Sequence, residues 1–253
     1  MPAMFGKIKD IFSAKERVMG PIDFKRIKTD VHSHFIPGID DGAPDMDHSM
    51  ELISAMSEMG YSKVITTPHV MSDFYRNTPD MIRSGLDAVR EELVKRQVNI
   101  EIDCAAEYYL DAELMDKVKK KELLTFGDNY VLFELPFISE PPNTTDIIFE
   151  MQLAGYKPVL AHPERYAFYH RQFEKYTEYA DKGVLLQLNM NSLTGHYSPE
   201  VKKIAERMVD ENLISLIGSD CLHYGHIQLL EQASKGEAMH KLLESGKLIN
   251  TSL

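Results

Sequence analysis

Seven short apolar runs alternate with stretches of helical periodicity along most of the chain, and no other feature limits the fold so tightly. The runs at 29–34, 63–68, 99–105, 130–136, 158–161, 184–188 and 214–218 read as strands. Helical patterns fall at 45–59, 79–96, 144–154, 174–182 and 199–212. Strands separated by helices favour a parallel sheet, and seven or eight such repeats in about 220 residues favour a closed α/β barrel. Barrels of this kind carry their functional groups at the C-terminal ends of the strands.

Those ends hold the informative residues. The first run reads Thr29-Asp30-Val31-His32-Ser33-His34 and continues to Ile39-Asp40-Asp41-Gly42. Side chains two apart on a strand point the same way, so His32 and His34 project together. Later runs deliver His69, Glu107, Glu134, His162 and Asp220 in turn. Singly, each has the ordinary reading of a hydrogen-bonded loop residue. As a set, converging carboxylates would repel and raise one another's pKa unless cations neutralised them. A His/Asp/Glu set without thiolates suits Zn²⁺, Mn²⁺ or Fe, and it exceeds the demand of one ion. The sequence therefore predicts a multinuclear metal site. Arg165, three residues after His162, is placed to clamp a phosphate or to pair with a surface acid. Asn189 and Asn191 follow the sixth run and lie within reach of the same mouth.

Composition narrows the chemistry. With 253 residues, 43% hydrophobic and 26% charged, the chain can bury a full core. Its formal charge of −11 argues against a general nucleic-acid surface. The two cysteines, Cys104 and Cys221, form no zinc or redox spacing. Six residues beyond them stand Leu110 and Ile227, so a Cys-x5-Arg phosphate loop is absent. Gly-x-Ser-x-Gly, His-Glu-x-x-His and a phosphate-binding Gly-x4-Gly-Lys-Ser/Thr are absent too. No apolar stretch is long enough to span a membrane and no secretory signal is legible, so the expected location is the cytoplasm. Residues 1–28 stand apart: Phe5, Ile8, Ile11 and Phe12 recur at helical spacing among Lys7, Lys9, Lys15 and Arg17. This reads as a basic amphipathic extension ahead of a single domain at 29–253.

The ordered set His32-x-His34, His69, His162 and Asp220 resembles the four motif regions of the PHP (polymerase and histidinol phosphatase) superfamily. The segments 32–42, Ala106-Glu107-Tyr108-Tyr109 and His162-Pro163-Glu164-Arg165-Tyr166 are most similar to its bacterial metal-dependent protein-tyrosine phosphatases of capsule and exopolysaccharide regulation. The resemblance implies a distorted (β/α)7 TIM-like barrel with a trinuclear centre, commonly of manganese. It assigns His32, His34, Glu107 and Asp220 to one metal, and Glu107, Glu134 and His162 to a second. Asp41 and His69 go to a third, completed by a histidine of the last motif. Arg165, His162 and Asp220 are the residues it implies at the reacting phosphoryl group, with phosphotyrosine in the tyrosine-rich tail of a bacterial autokinase as substrate. One departure stands out. The last motif is usually Asp-x-His, whereas this chain reads Asp220-Cys221-Leu222-His223, so His223, or more distantly His226, must substitute, or the third metal is weakened or lost. Two metals still support hydrolysis. A small-molecule phosphatase of the histidinol-phosphate type and a regulatory module with an impaired site are the competing readings.

Overall fold

The computed structural model describes residues 19–253; the expected helix around Phe5–Phe12 and its basic residues lie outside them. The packed body begins ahead of Thr29, because Ile22, Phe24 and Ile27 are buried in the principal core.

Among the described residues, nine short parallel strands form two sheets. β1 (Thr29–Asp30), β2 (Lys63–Thr66) and β4 (Glu101–Cys104) form one sheet. β3 (His69–Val70), β5 (Glu107–Tyr109), β6 (Tyr130–Glu134), β7 (Lys157–Ala161), β8 (Leu185–Asn189) and β9 (Ile214–Gly218) form the other. Only Thr67 and Pro68 separate β2 from β3, and only Ala105 and Ala106 separate β4 from β5. Proline has no N–H for a ladder, so the second run breaks there and restarts. A strand thus falls in each expected run, whereas β3 and β5 lie just beyond the runs at 63–68 and 99–105 and were not expected.

The first run is shorter than its apolar pattern suggests because it changes partners. Thr29 and Asp30 pair with Lys63 and Val64 of β2. Beyond them, His32 O accepts from Asp220 N at 2.8 Å, His34 N donates to Cys221 O at 3.1 Å, and Ser33 bridges Cys221 in parallel. These bonds join the first strand to the last. Side chains complete the seam: Asn250 Nδ2 donates to Thr29 O and Ile217 O, and its Oδ1 accepts from Ile217 N. Asp30 accepts from both the N–H and the hydroxyl of Ser219.

The helices begin where capping chemistry allows. α1 (Met46–Met59) starts after Asp45, whose carboxylate accepts from His48 N, and α2 (Pro79–Arg96) starts after Thr78, which accepts from Met81 N. α4 (Thr144–Leu153) and α5 (Glu174–Asp181) match their periodic patterns, as does α6 (Pro199–Asp210), capped by Ser198. Three further helices escaped the sequence reading: α3 (Leu114–Lys120), α7 (Tyr224–Ala233) and α8 (Glu237–Glu244). None has a side-chain cap bond, a feature they share with α4 and α5.

Val31, Ile65, Ala105, Leu132, Val159, Ala161 and Leu216 form an inner cluster drawn from successive strand positions. Alternate residues such as Val131, Phe133 and Leu160 belong to the larger core. The period of two then carries Glu134 onto the side of Leu132, at the end of β6. No helix among the described residues is long and apolar enough to cross a membrane.

Candidate metal centre

At the C-terminal ends of these strands four overlapping groups of side chains converge, each with ligand atoms within 4.8 Å of one another. They are His32, His162 and Asp220; His32, His34 and Glu107; His34, Asp41 and His69; and His69, Glu107 and Glu134. Backbone geometry aims several of them. His162 and Asp220 lie in the left-handed region, at φ 34° and 47°, an unusual conformation for residues with a Cβ. Each turns the chain sharply at a strand end. Two glycines admit close packing: a Cβ on Gly42 would lie 2.2 Å from His34 O, and one on Gly218 would lie 2.5 Å from His32 Cβ.

Glu107 is the hub. Its Oε2 lies 3.1 Å from His32 Nε2 and 3.2 Å from His69 Nδ1, and its Oε1 lies 3.1 Å from His162 Nε2. Glu134 faces His69 Nδ1 at 3.5 Å and His162 Nε2 at 3.6 Å. Asp220 Oδ1 is 3.5 Å from Nε2 of both His32 and His34. Asp41, exposed, reaches His69 Nε2 at 3.5 Å.

The electrostatics of the two central glutamates diverge. Burial raises the Glu107 carboxyl, but the adjacent His32 and His69 outweigh it and hold its pKa well below the usual range. Burial and the Glu107 charge push Glu134 well above that range. For His162, burial and the Arg165 charge lower the pKa to about 4, which keeps its ring neutral near pH 7. Such a ring offers a lone pair.

Two supporting residues were not singled out by sequence reasoning. Gln187 Oε1 accepts from His32 Nδ1 at 2.8 Å, and Asp40 Oδ2 accepts from His34 Nδ1 at 2.7 Å. Each fixes the tautomer that turns Nε2 toward the carboxylates, the usual support of a metal-binding histidine. Asp40 adjoins Asp41 and Gln187 sits inside β8, so neither position carried a signal of its own.

Arg165 donates to Asp220 Oδ2 at 2.8 Å, and its guanidinium lies 4.9 Å from the Phe137 ring and 4.3 Å from the Tyr197 ring. Asn189 Nδ2 donates to Asp220 Oδ2 and to the Tyr197 hydroxyl, whereas Asn191 bonds Ser219 O. His223 joins none of the four groups. It is exposed ahead of α7, its ring 4.1 Å from that of His226. His226 is buried and its Nδ1 is taken up by Asp220 O at 2.9 Å, so it too stands outside them. Cys104 and Cys221 are free and buried; burial pushes the first thiol up to about 11 and the second well above its ordinary value.

The donor set fits divalent cations. His34 Nε2 and His162 Nδ1 are buried without a hydrogen-bond partner, an expensive arrangement for a purely structural cluster. Asp41, Glu107, Glu134 and Asp220 converge with imidazoles and no thiolate, the donor chemistry of Zn²⁺, Mn²⁺ or Fe.

The family model for capsular polysaccharide synthesis, CpsB/CapC, matches residues 28–229. This chain belongs to the CpsB/CapC family. Its CpsB/CapC relatives include the tyrosine-protein phosphatase YwqE of Bacillus subtilis, 30% identical over 87% of this chain and 90% of that protein. The tyrosine-protein phosphatase CpsB of Streptococcus agalactiae is 26% identical over 76% of this chain and 81% of its own length. A chain from the crystal structures of YwqE from Bacillus subtilis and CpsB from Streptococcus pneumoniae, described as unique metal-dependent tyrosine phosphatases, aligns with a TM-score of 0.78. That match has 28% identity and covers 88% of this chain and 90% of the other. The histidinol phosphate phosphatase of Lactococcus lactis shares the fold, with a TM-score of 0.51 at 14% identity over 82% of this chain and 92% of that one. The two proteins thus share an α/β fold.

Proposed function

We propose that this protein is a metal-dependent protein-tyrosine phosphatase that acts in the regulation of capsule or exopolysaccharide synthesis. The observation that carries the reading is the sharing of ligands: His32, His34, His69 and Glu107 each belong to two groups, which supports adjacent cation positions, and Arg165 pairs with Asp220 of the same cluster. Relatives named tyrosine-protein phosphatases support the substrate class.

In this reading His32, His34, Glu107 and Asp220 would hold one cation, and Glu107, Glu134 and His162 would hold a second. Asp41 and His69 would contribute to a third position, and His34 Nε2 could serve that position or the first but not both, because Asp40 holds its Nδ1. Bound divalent cations neutralise phosphoryl oxygens and acidify water enough to provide a nucleophile at neutral pH. Arg165 exchanges its bond to Asp220 for a phosphoryl oxygen and stabilises charge there as the ester bond breaks. Asp40 and Gln187 keep His34 and His32 oriented throughout, and neutral His162 contributes a lone pair rather than a proton. The departing phenolate needs little help from a protein acid. The buried thiols form no phosphocysteine.

The proposed metal is Mn²⁺, two or three per chain, with Fe or Zn²⁺ as alternatives. The proposed substrate is a phosphotyrosine protein of the cytoplasm, the tyrosine-rich tail of an autokinase. Elemental analysis and phosphate release from a phosphotyrosyl peptide, with and without Mn²⁺, test the reading. Two or three ions per chain with Mn²⁺-stimulated turnover are expected. Turnover confined to histidinol phosphate, or a metal-loaded protein inert on every phosphomonoester, would overturn it.

A further inference from the structure

The Phe137 side chain lies at the edge of the core, its ring 5.6 Å from that of buried Tyr166. It is 45% exposed, and Ile138 beside it is 93% exposed, both on the loop between β6 and α4. Its ring nonetheless stacks on His162, with centroids 5.8 Å apart and planes 17° from parallel. It also lies against the Arg165 guanidinium at 4.9 Å. One aromatic residue thus touches both a candidate metal ligand and the candidate phosphate clamp while remaining open to solvent.

Arg165 has a second aromatic neighbour. Tyr197 packs on the guanidinium at 4.3 Å, but its hydroxyl is tied to Asn189 Nδ2 at 2.9 Å and it is only half-buried. Its fixed ring backs the guanidinium and sets its plane. Phe137 has no such tether, so its surface is available to a ligand.

We infer that Phe137 is the wall that recognises the aryl group of the substrate. A phosphoryl group held at Arg165 has its ester substituent leaving the pocket past this ring, with Ile138 the next apolar surface outward. A phenyl ester can lie against Phe137 with offset or edge contacts. The short alkyl esters of phosphoserine and phosphothreonine offer no aromatic face there. The site's preference for aryl phosphomonoesters over alkyl ones therefore resides largely in this one residue. This inference rests on the reading of the centre as a phosphatase site.

The test compares binding of phenylphosphonate and methylphosphonate to the Mn²⁺-loaded protein by calorimetry, which needs no turnover. The wild type is expected to bind the phenyl compound more tightly. Phe137→Ala should lose about tenfold in phenylphosphonate affinity and leave methylphosphonate affinity unchanged. Phe137→Tyr should restore the preference. Because the side chain is half in solvent, an unaltered melting temperature is expected and is measured alongside. Equal weakening of both ligands, or an undiminished phenyl preference in Phe137→Ala, overturns the inference. A phenyl preference that Phe137→Ala abolishes, in a protein that fails to hydrolyse phosphotyrosyl peptide, supports the wall and overturns the proposed function instead.

Discussion

Arg165 and Asp220 form a 2.8 Å ion pair between two residues that lie on different strand-end loops and face the same cluster. The pair joins the candidate phosphate clamp to a candidate metal ligand. Asp220 has its pKa well below the usual carboxylate range, because His32, His34 and Arg165 outweigh its burial. Bringing phosphate and cations into the centre therefore rearranges charge already in place.

Replacing Arg165 removes one donor plane without removing a ligand. Arg165→Lys keeps a charge but loses the planar fork that contacts Phe137 and Tyr197. The expected loss in kcat/KM on a phosphotyrosyl peptide is about 100-fold. Metal content by elemental analysis should stay at the wild-type value, and a fall in it would assign Arg165 a structural role.

Gln187 and Asp40 act through the histidines they hold. Gln187→Leu frees the His32 ring and Asp40→Ala frees His34. Each should weaken Mn²⁺ affinity by about 10- to 100-fold, read by calorimetric titration. Unchanged affinity in both variants would remove the orienting role assigned here.

Cys104 supplies a pH test away from the centre. Burial raises its thiol from 9.0 to about 11, so the folded protein favours the protonated form more than the unfolded chain does. For an acid raised in this way the contribution to stability is present below pH 9 and declines as pH rises toward 11. Alkylation of Cys104 in the native protein should stay slow at pH 8, and Cys104→Ser should keep phosphatase turnover. Rapid labelling at pH 8, or a dead Cys104→Ser variant with full metal content, would revive a thiol mechanism.

Asn250 is expected to be a stability residue of the seam between the first and last strands. Asn250→Ala leaves Thr29 O, Ile217 O and Ile217 N without their side-chain partner in a buried setting. The expected cost is about 2–4 kcal/mol in urea denaturation. A variant as stable as the wild type would show that the first and last strands hold together without it.

The alternation of apolar runs with helical periodicity fixed the fold class by itself, because burial of a two-residue repeat beside a 3.6-residue repeat has few parallel solutions. The same reading located His32, His34, His69, Glu107, Glu134, His162 and Asp220, since each follows an apolar run and strand ends share one face of such a barrel. Tertiary structure alone decided the rest. The run at His32 leaves β2 for the last strand, which no local pattern encodes because the partner lies nearly 190 residues away. Asp40, Gln187 and Phe137 gain their roles only by meeting His34, His32 and Arg165 across the fold. His223, the nearest histidine after Asp220, turns instead to His226, because a left-handed residue at 220 and the start of α7 redirect the chain. Sequence order records which side chains are available, whereas hydrogen bonds and ring contacts between distant segments determine where they point.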